Sequence, residues 1–234
     1  MHVPEGFLDA PTSLATGAIA AAGVGLALRG ARRELDDRTA PMAGLVATFV
    51  FAAQMINFPV GAGTSGHLLG GALAAVLVGP WSAILCISVV LLVQALFMAD
   101  GGITALGTNV TLMALVGAGI GWLVFAGLRR VLPRRTTSVI AAASIAAFIS
   151  VLAAATTFTA LFAIGGTLPV DTGKVLVAML GWHALIALGE AVITGLVVAS
   201  VVGVRPDLVY GAAPVLEARE LEIRTPVSDP EVSR

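Results

Sequence analysis

Residues 136–164 read TTSVIAAASIAAFISVLAAATTFTALFAI, a run without one charged side chain. About 20 mostly apolar residues are enough to carry a helix across the hydrocarbon core of a bilayer. The run is apolar on every side, unlike the single stripe of a helix lying on a soluble core, so its reading decides the fold. Working outward, similar blocks recur at Pro11–Leu28, Pro41–Asn57, Gly66–Val78, Pro80–Met98, Thr108–Leu128 and Gly173–Val204. Together they predict an all-α, polytopic membrane protein of about seven transmembrane helices, not a soluble globular domain. The weakest block is Gly66–Val78, which as helix rises only about 20 Å against a core of about 30 Å and could be short or re-entrant.

Composition agrees with this reading. With 58% hydrophobic and 12% charged residues and a mean hydropathy of +0.98, too little polar surface is available to cover a water-exposed globule. The net charge of −1 and the scattering of basic residues between apolar blocks argue against nucleic acid. The single cysteine, Cys86, excludes an intrachain disulfide and a cysteine-rich zinc site, so any metal would use nitrogen or oxygen. The start, MHVPEGFLDAP, has no positive charge and carries Glu5 and Asp9, so it does not read as a signal peptide and is expected to be retained.

Local signals mark the helix ends. Pro11 and Pro41 suit first turns, Asp9 and Asp171–Thr172 offer capping side chains, and Thr108–Asn109 offer the same to the fifth block. Arg29, Arg32, Arg33 and Arg38 follow the first block, Arg129, Arg130, Arg134 and Arg135 the fifth, and Arg205, Arg219, Arg224 and Arg234 the seventh. Seven crossings put all of them on one side and leave only Lys174 on the other. The positive-inside rule then places the N-terminus outside and the C-terminus in the cytoplasm. On this reading residues 1–204 form an integral membrane, metal-binding domain, and 205–234 form a cytoplasmic tail that is disordered or partner-bound. The glycine and alanine stripes Gly17, Ala21, Gly25 and Gly117, Gly121 read as close internal helix packing.

Three histidines carry the candidate chemistry. A chain that begins X-His can bind one ion through its terminal amine, its first amide nitrogen and the histidine ring, closing adjacent chelate rings. Divalent cobalt, nickel and copper can displace the amide proton and accept a planar nitrogen set, whereas magnesium and calcium prefer oxygen. Met1 and His2 supply that arrangement, and His67, expected on the same outer side, could complete the plane; an isolated His2 could equally be an exposed side chain. His183 and Glu190 share a face of the last helix, either near the metal or hydrogen-bonded in packing. Asp100 and Asn109 could orient His67 through its second ring nitrogen.

MHVPEGFLD at residues 1–9, NFPVGAGTSGHLLGG at 57–71, TALGTN at 104–109 and GWHALIALGEAVITG at 181–195 resemble the CbiM/NikM family. These are the substrate-specific components of energy-coupling-factor (ECF) cobalt and nickel transporters. The resemblance implies that Met1 gives its amine, His2 its amide and ring nitrogens, and His67 its ring to a planar site for Co2+ or Ni2+. It also implies assembly with a transmembrane coupling (T) component, a pair of cytoplasmic ATPases and a small accessory membrane protein in the plasma membrane of a prokaryote. No G-x-x-x-x-G-K-[ST] phosphate loop occurs in the chain, in keeping with ATP being used by a partner. Two other classes stay open. An autonomous channel or carrier would show polar groups strung through the membrane, and a membrane metalloenzyme would show H-E-x-x-H or a comparable motif, which is absent. A reporter fused after Arg135 is expected to read cytoplasm and one placed within 165–171 to read outside; the opposite pair of readings would overturn the seven-crossing topology.

Overall fold

A computed structural model describes residues 1–37, 39–61 and 64–216. Among these described residues five helices are long and apolar enough to cross a membrane: α1 (Ala10–Ala31), α4 (Pro80–Met98), α5 (Leu106–Val131), α6 (Thr136–Gly165) and α7 (Thr172–Val204). Between the first two lie α2 (Thr39–Gln54), shorter but apolar, a β-hairpin of β1 (Phe58–Gly61) and β2 (Thr64–Gly66), and the eight-residue α3 (Gly71–Val78).

Helix starts at both ends of the chain follow the capping signals. Asp9 accepts the Thr12 amide at 2.9 Å with Pro11 in the first turn, and Asp171 accepts the Lys174 amide at 3.1 Å. One expectation fails. The fifth block opens at Leu106, before Thr108 and Asn109, because the chain turns sharply at Gly101 (φ +84°) and is already helical when it reaches them. Neither residue therefore caps the helix. Within 66–78 only Gly71–Val78 is helical, a rise of about 12 Å. Its start is set by Gly70, whose φ of +75° a helix cannot continue, and a Cβ there would meet Val50 at 2.7 Å. All eight residues of α3 are buried, so the short helix and the extended chain before it are satisfied by protein and not left to lipid.

Packing is inverted relative to a soluble protein. Ala142, Ala143, Ala146, Ala147, Ala154 and Ala155 line the fully buried face of α6, while Leu14, Phe97, Leu123 and Val177 stand on the outer surface with two-thirds or more of their area exposed. Small residues let backbones approach and large apolar ones face the lipid. A Cβ on Gly107 would come within 2.4 Å of the Gly17 Cα, and one on Gly121 within 2.7 Å of the Ala72 side chain. Of the stripe read from the first block only one residue is used, since Gly17 packs against α5 but Ala21 and Gly25 are exposed.

One end of the bundle gathers the chain start, the hairpin and the segments at 99–105 and 166–171. Asn57 Nδ2 donates to Asp100 Oδ2 at 3.1 Å, the Gly102 amide to the Val3 carbonyl at 3.1 Å, and the Thr167 amide to the Phe7 carbonyl at 3.1 Å. At the other end Glu34 caps α4, accepting the Ser82 amide at 2.7 Å and the Trp81 amide at 3.2 Å. Of the expected disordered or partner-bound tail, the described part does not fit that reading. It forms two short turns at 206–208 and 210–212 and buries Val209, Ala212 and Val215 against the bundle, while 217–234 lie outside the described residues.

Because the α1–α5 contact has no room for a methyl group, Gly107→Ala should lower stability by about 1–3 kcal/mol. Gly25→Ala, at an exposed site with no neighbour, should leave it unchanged or slightly raised. Thermal unfolding midpoints in the same detergent check the pair.

Candidate metal centre

The chain does not trail its N-terminus into solvent. Met1 and Val3 are at most 1% exposed and His2 is 4% exposed, although an amine and an imidazole are costly to bury. Asn109 makes this possible, because its Oδ1 accepts the Val3 amide at 2.7 Å while its Nδ2 donates to the Val3 carbonyl at 3.2 Å. The side-chain amide thus acts as a neighbouring strand would. The segment is fastened further by Glu5, which accepts the Thr104 amide and hydroxyl, and by Asp9, whose amide donates to the Gly165 carbonyl at 2.7 Å. Phe7 sits against Phe158 and Phe162, with ring centroids 5.4 and 5.2 Å away.

In each histidine ring one nitrogen is committed and the other makes no hydrogen bond. His2 Nε2 lies 3.2 Å from Gln94 Oε1, an acceptor, so Nε2 carries the proton and Nδ1 the lone pair. Nδ1 is the atom that closes a chelate ring with the residue's own amide nitrogen. It lies 3.2 Å from Asp100 Oδ1 but makes no aligned hydrogen bond. His67, fully buried, donates Nδ1–H to the Leu68 carbonyl at 2.8 Å and leaves Nε2 without a partner. The His2 and His67 ring centroids are 4.6 Å apart. His183 repeats the pattern, with Nδ1–H on the Met179 carbonyl at 2.8 Å and Nε2 unpartnered.

Electrostatics act in the same direction. Residues 1–9 precede α1, and burial lowers the Met1 amine well below its ordinary 8.0, with Asp100 opposing. Burial also lowers His2 to about 4, helped by the neighbouring amine charge and opposed by Asp100 and Gln94. Both shifts favour the unprotonated form, in which these nitrogens can donate to a metal. Among the described residues no group of three or more His, Cys, Asp or Glu side chains is placed to hold an ion. The expected Met1, His2, His67 set would take two of its nitrogens from the main chain and would need only two side chains.

Several roles differ from those expected. Asp100 and Asn109 serve His2 and Val3, not His67, whose second nitrogen is taken by the adjacent carbonyl. His183 and Glu190, though both buried on one face of α7, do not bond each other, since Glu190 accepts the Leu69 amide at 2.6 Å and the Gly70 amide at 2.9 Å. Gln94 was not singled out by the sequence reading. Its signal was a glutamine alone in the apolar run LLVQALF, at the start of a wider π-type turn, Gln94–Met98, of the kind that recurs at functional sites.

The comparisons with known proteins converge. Residues 2–208 match the family described as CbiM, cobalt uptake substrate-specific transmembrane region. A Haloquadratum walsbyi protein, provisionally named a metal transport protein, is 38% identical over 90% of this chain and 94% of its own. An Archaeoglobus fulgidus protein, provisionally named the fused nickel transport protein NikMN, is 39% identical over 89% of this chain and 68% of its own. A crystal structure of a transition metal transporter superimposes with a TM-score of 0.81, covering 96% of this chain and all of that one at 27% identity.

The lowered values have a testable sign. A chain start released from the bundle would titrate near 8.0 and 6.5, so it binds protons that the docked form refuses. Docking should be tightest above pH 8 and weaken as pH falls toward 4. Amide exchange at residues 2–8 of metal-free protein, corrected for the intrinsic rate, should show protection rising with pH, and a fall over that range would contradict the burial argument.

Proposed function

This chain belongs to the CbiM family of cobalt-uptake, substrate-specific membrane components, and from that premise we propose that it captures Co2+ or Ni2+ at a planar nitrogen site for an ECF-type transporter. The amine of Met1, the deprotonated amide and Nδ1 of His2, and Nε2 of His67 are the four donors. The observation that supports this reading is the buried chain start, with the His2 ring 4.6 Å from that of His67 and one nitrogen of each ring making no hydrogen bond. Such burial is unfavourable for a segment with no ligand to bind and is the preorganisation a dry nitrogen site needs.

Selectivity follows from the donor set. An amide nitrogen binds only after losing its proton, which magnesium and calcium cannot enforce and divalent nickel, cobalt and copper can. The carboxylate of Asp100, 3.2 Å from His2 Nδ1, adds a negative charge beside the proposed site. Cobalt and nickel both satisfy this set.

The remaining parts of the reading rest on the family and on charge. The membrane domain, 1–204, crosses seven times with the candidate site facing outward, and α2 and the hairpin–α3 segment complete the passes made by the five long helices. The C-terminal segment from 205 lies in the cytoplasm. Metal binds from outside, the chain start and the hairpin close over it, and ATP hydrolysis by a separate ATPase pair, transmitted through a transmembrane coupling component with a small accessory protein alongside, drives release inward. The host membrane is a prokaryotic plasma membrane.

The decisive test leaves every side chain in place. One alanine added before Met1 keeps His2 and His67 but moves the amine out of the chelate ring. Affinity for Co2+ or Ni2+, measured by calorimetry on protein shown by mass spectrometry to retain the extra residue, should fall by more than about tenfold. Native affinity in that protein would remove the terminal amine from the site.

A further inference from the structure

Glu190 is 2% exposed in the middle of α7, where an acidic side chain needs a specific reason to be. Its two oxygens accept the amides of Leu69 and Gly70, at 2.6 and 2.9 Å, so it bridges α7 to the four-residue run that joins β2 to α3. That run begins with His67. From the other side, Gln54 of α2 donates Nε2–H to the Leu69 carbonyl at 2.8 Å, and His67 itself donates to the Leu68 carbonyl. Gly66, just before the run, is so close to α7 that a Cβ there would meet Ile186 at 2.8 Å. The backbone that aims His67 Nε2 is therefore held at successive peptide units by side chains of two different helices.

We propose that Glu190 is a positioning residue for His67, fixing the loop so that Nε2 enters the plane of the chelate formed by the chain start. The inference rests on the reading of His67 as a metal donor. A planar set tolerates little displacement of its fourth nitrogen, and two hydrogen bonds to one carboxyl group fix both the position and the orientation of the peptide they hold. The link also runs through α7, so a shift of that helix relative to α2 would move the fourth donor while the other three stay with Asn109. Metal release would then follow from helix movement without protonation of the site.

The same chemistry at the opposite end of the bundle provides a matched control. Glu34 also caps backbone amides with both oxygens, those of Trp81 and Ser82, and is nearly as buried, yet it touches nothing at the candidate centre. Glutamine is isosteric with glutamate but presents one acceptor and one donor, so either Glu190→Gln or Glu34→Gln breaks one amide contact without changing volume. Full-length protein carrying E190Q should bind Ni2+ about tenfold to a hundredfold more weakly. The visible absorption of its Ni2+ complex should lose the planar four-coordinate signature in favour of a higher-coordinate one. E34Q should lower the unfolding temperature to a similar extent with affinity and spectrum unchanged. If E190Q does not insert, Glu190→Asp, which draws the carboxyl group back from the two amides, tests the same contacts and should weaken binding in the same direction. Native affinity and spectrum in E190Q, or in E190D, together with loss of binding in His67→Ala, would overturn the role of Glu190 and leave the metal site intact. Native binding in His67→Ala would overturn both.

Discussion

The hydrogen bonds from Asn109 to Val3 are the contact on which the rest depends. A chain end brought into an apolar bundle exposes amides, carbonyls and an amine to surroundings that offer no water, and each unpaired group costs a few kcal/mol. One side-chain amide, placed in the first turn of α5, supplies both the donor and the acceptor that the Val3 peptide groups require. Once Val3 is held, Met1 and His2 have no route back to the surface, and the His2 ring comes to lie 4.6 Å from that of His67. Gly101 and Gly102 are the conditions for this contact. A Cβ on the first would meet Asn109 and His2 at about 3 Å, and one on the second would meet the Glu5 backbone at 2.8 Å.

The same shortage of water explains the two buried carboxyl groups. Buried backbone outside helices has to be satisfied by protein, and besides the chain start the described residues include two such places: the junction of α3 and α4 and the run before α3. Glu34 serves the first and Glu190 the second. An acid is a heavy cost in a bundle of this composition, and it is spent where two adjacent amides would otherwise point into hydrocarbon. Close packing by alanine and glycine brings α7 near enough to reach the second place, so the polar contacts and the small-residue faces are parts of one arrangement.

Much of this was legible in the residues. The apolar runs announced helices in lipid because hydrophobic length is a property of consecutive residues and needs no knowledge of neighbours. Asp9 and Asp171 were read correctly as caps, since a cap bonds an amide three residues away. The X-His start and His67 were identifiable as candidate donors because amine, amide and imidazole chemistry belongs to the residues themselves. The family resemblance agreed with the match over residues 2–208.

What the sequence could not settle was every assignment that depends on which helices lie side by side. Asn109, read as a helix cap or a partner of His67, instead binds a residue 106 positions away. Glu190, read with His183 because both lie on one helical face, instead binds amides 120 and 121 positions away. Gln94 drew no attention although it holds the ring of His2. The sequence by itself determined the solvent, the long helices and the chemical identity of the candidate donors, because these follow from local composition. Only the tertiary structure decided which rings lie side by side and which of their nitrogens are left without a hydrogen bond, because a polar side chain in lipid bonds whichever unpaired group the packing of distant helices brings within about 3 Å.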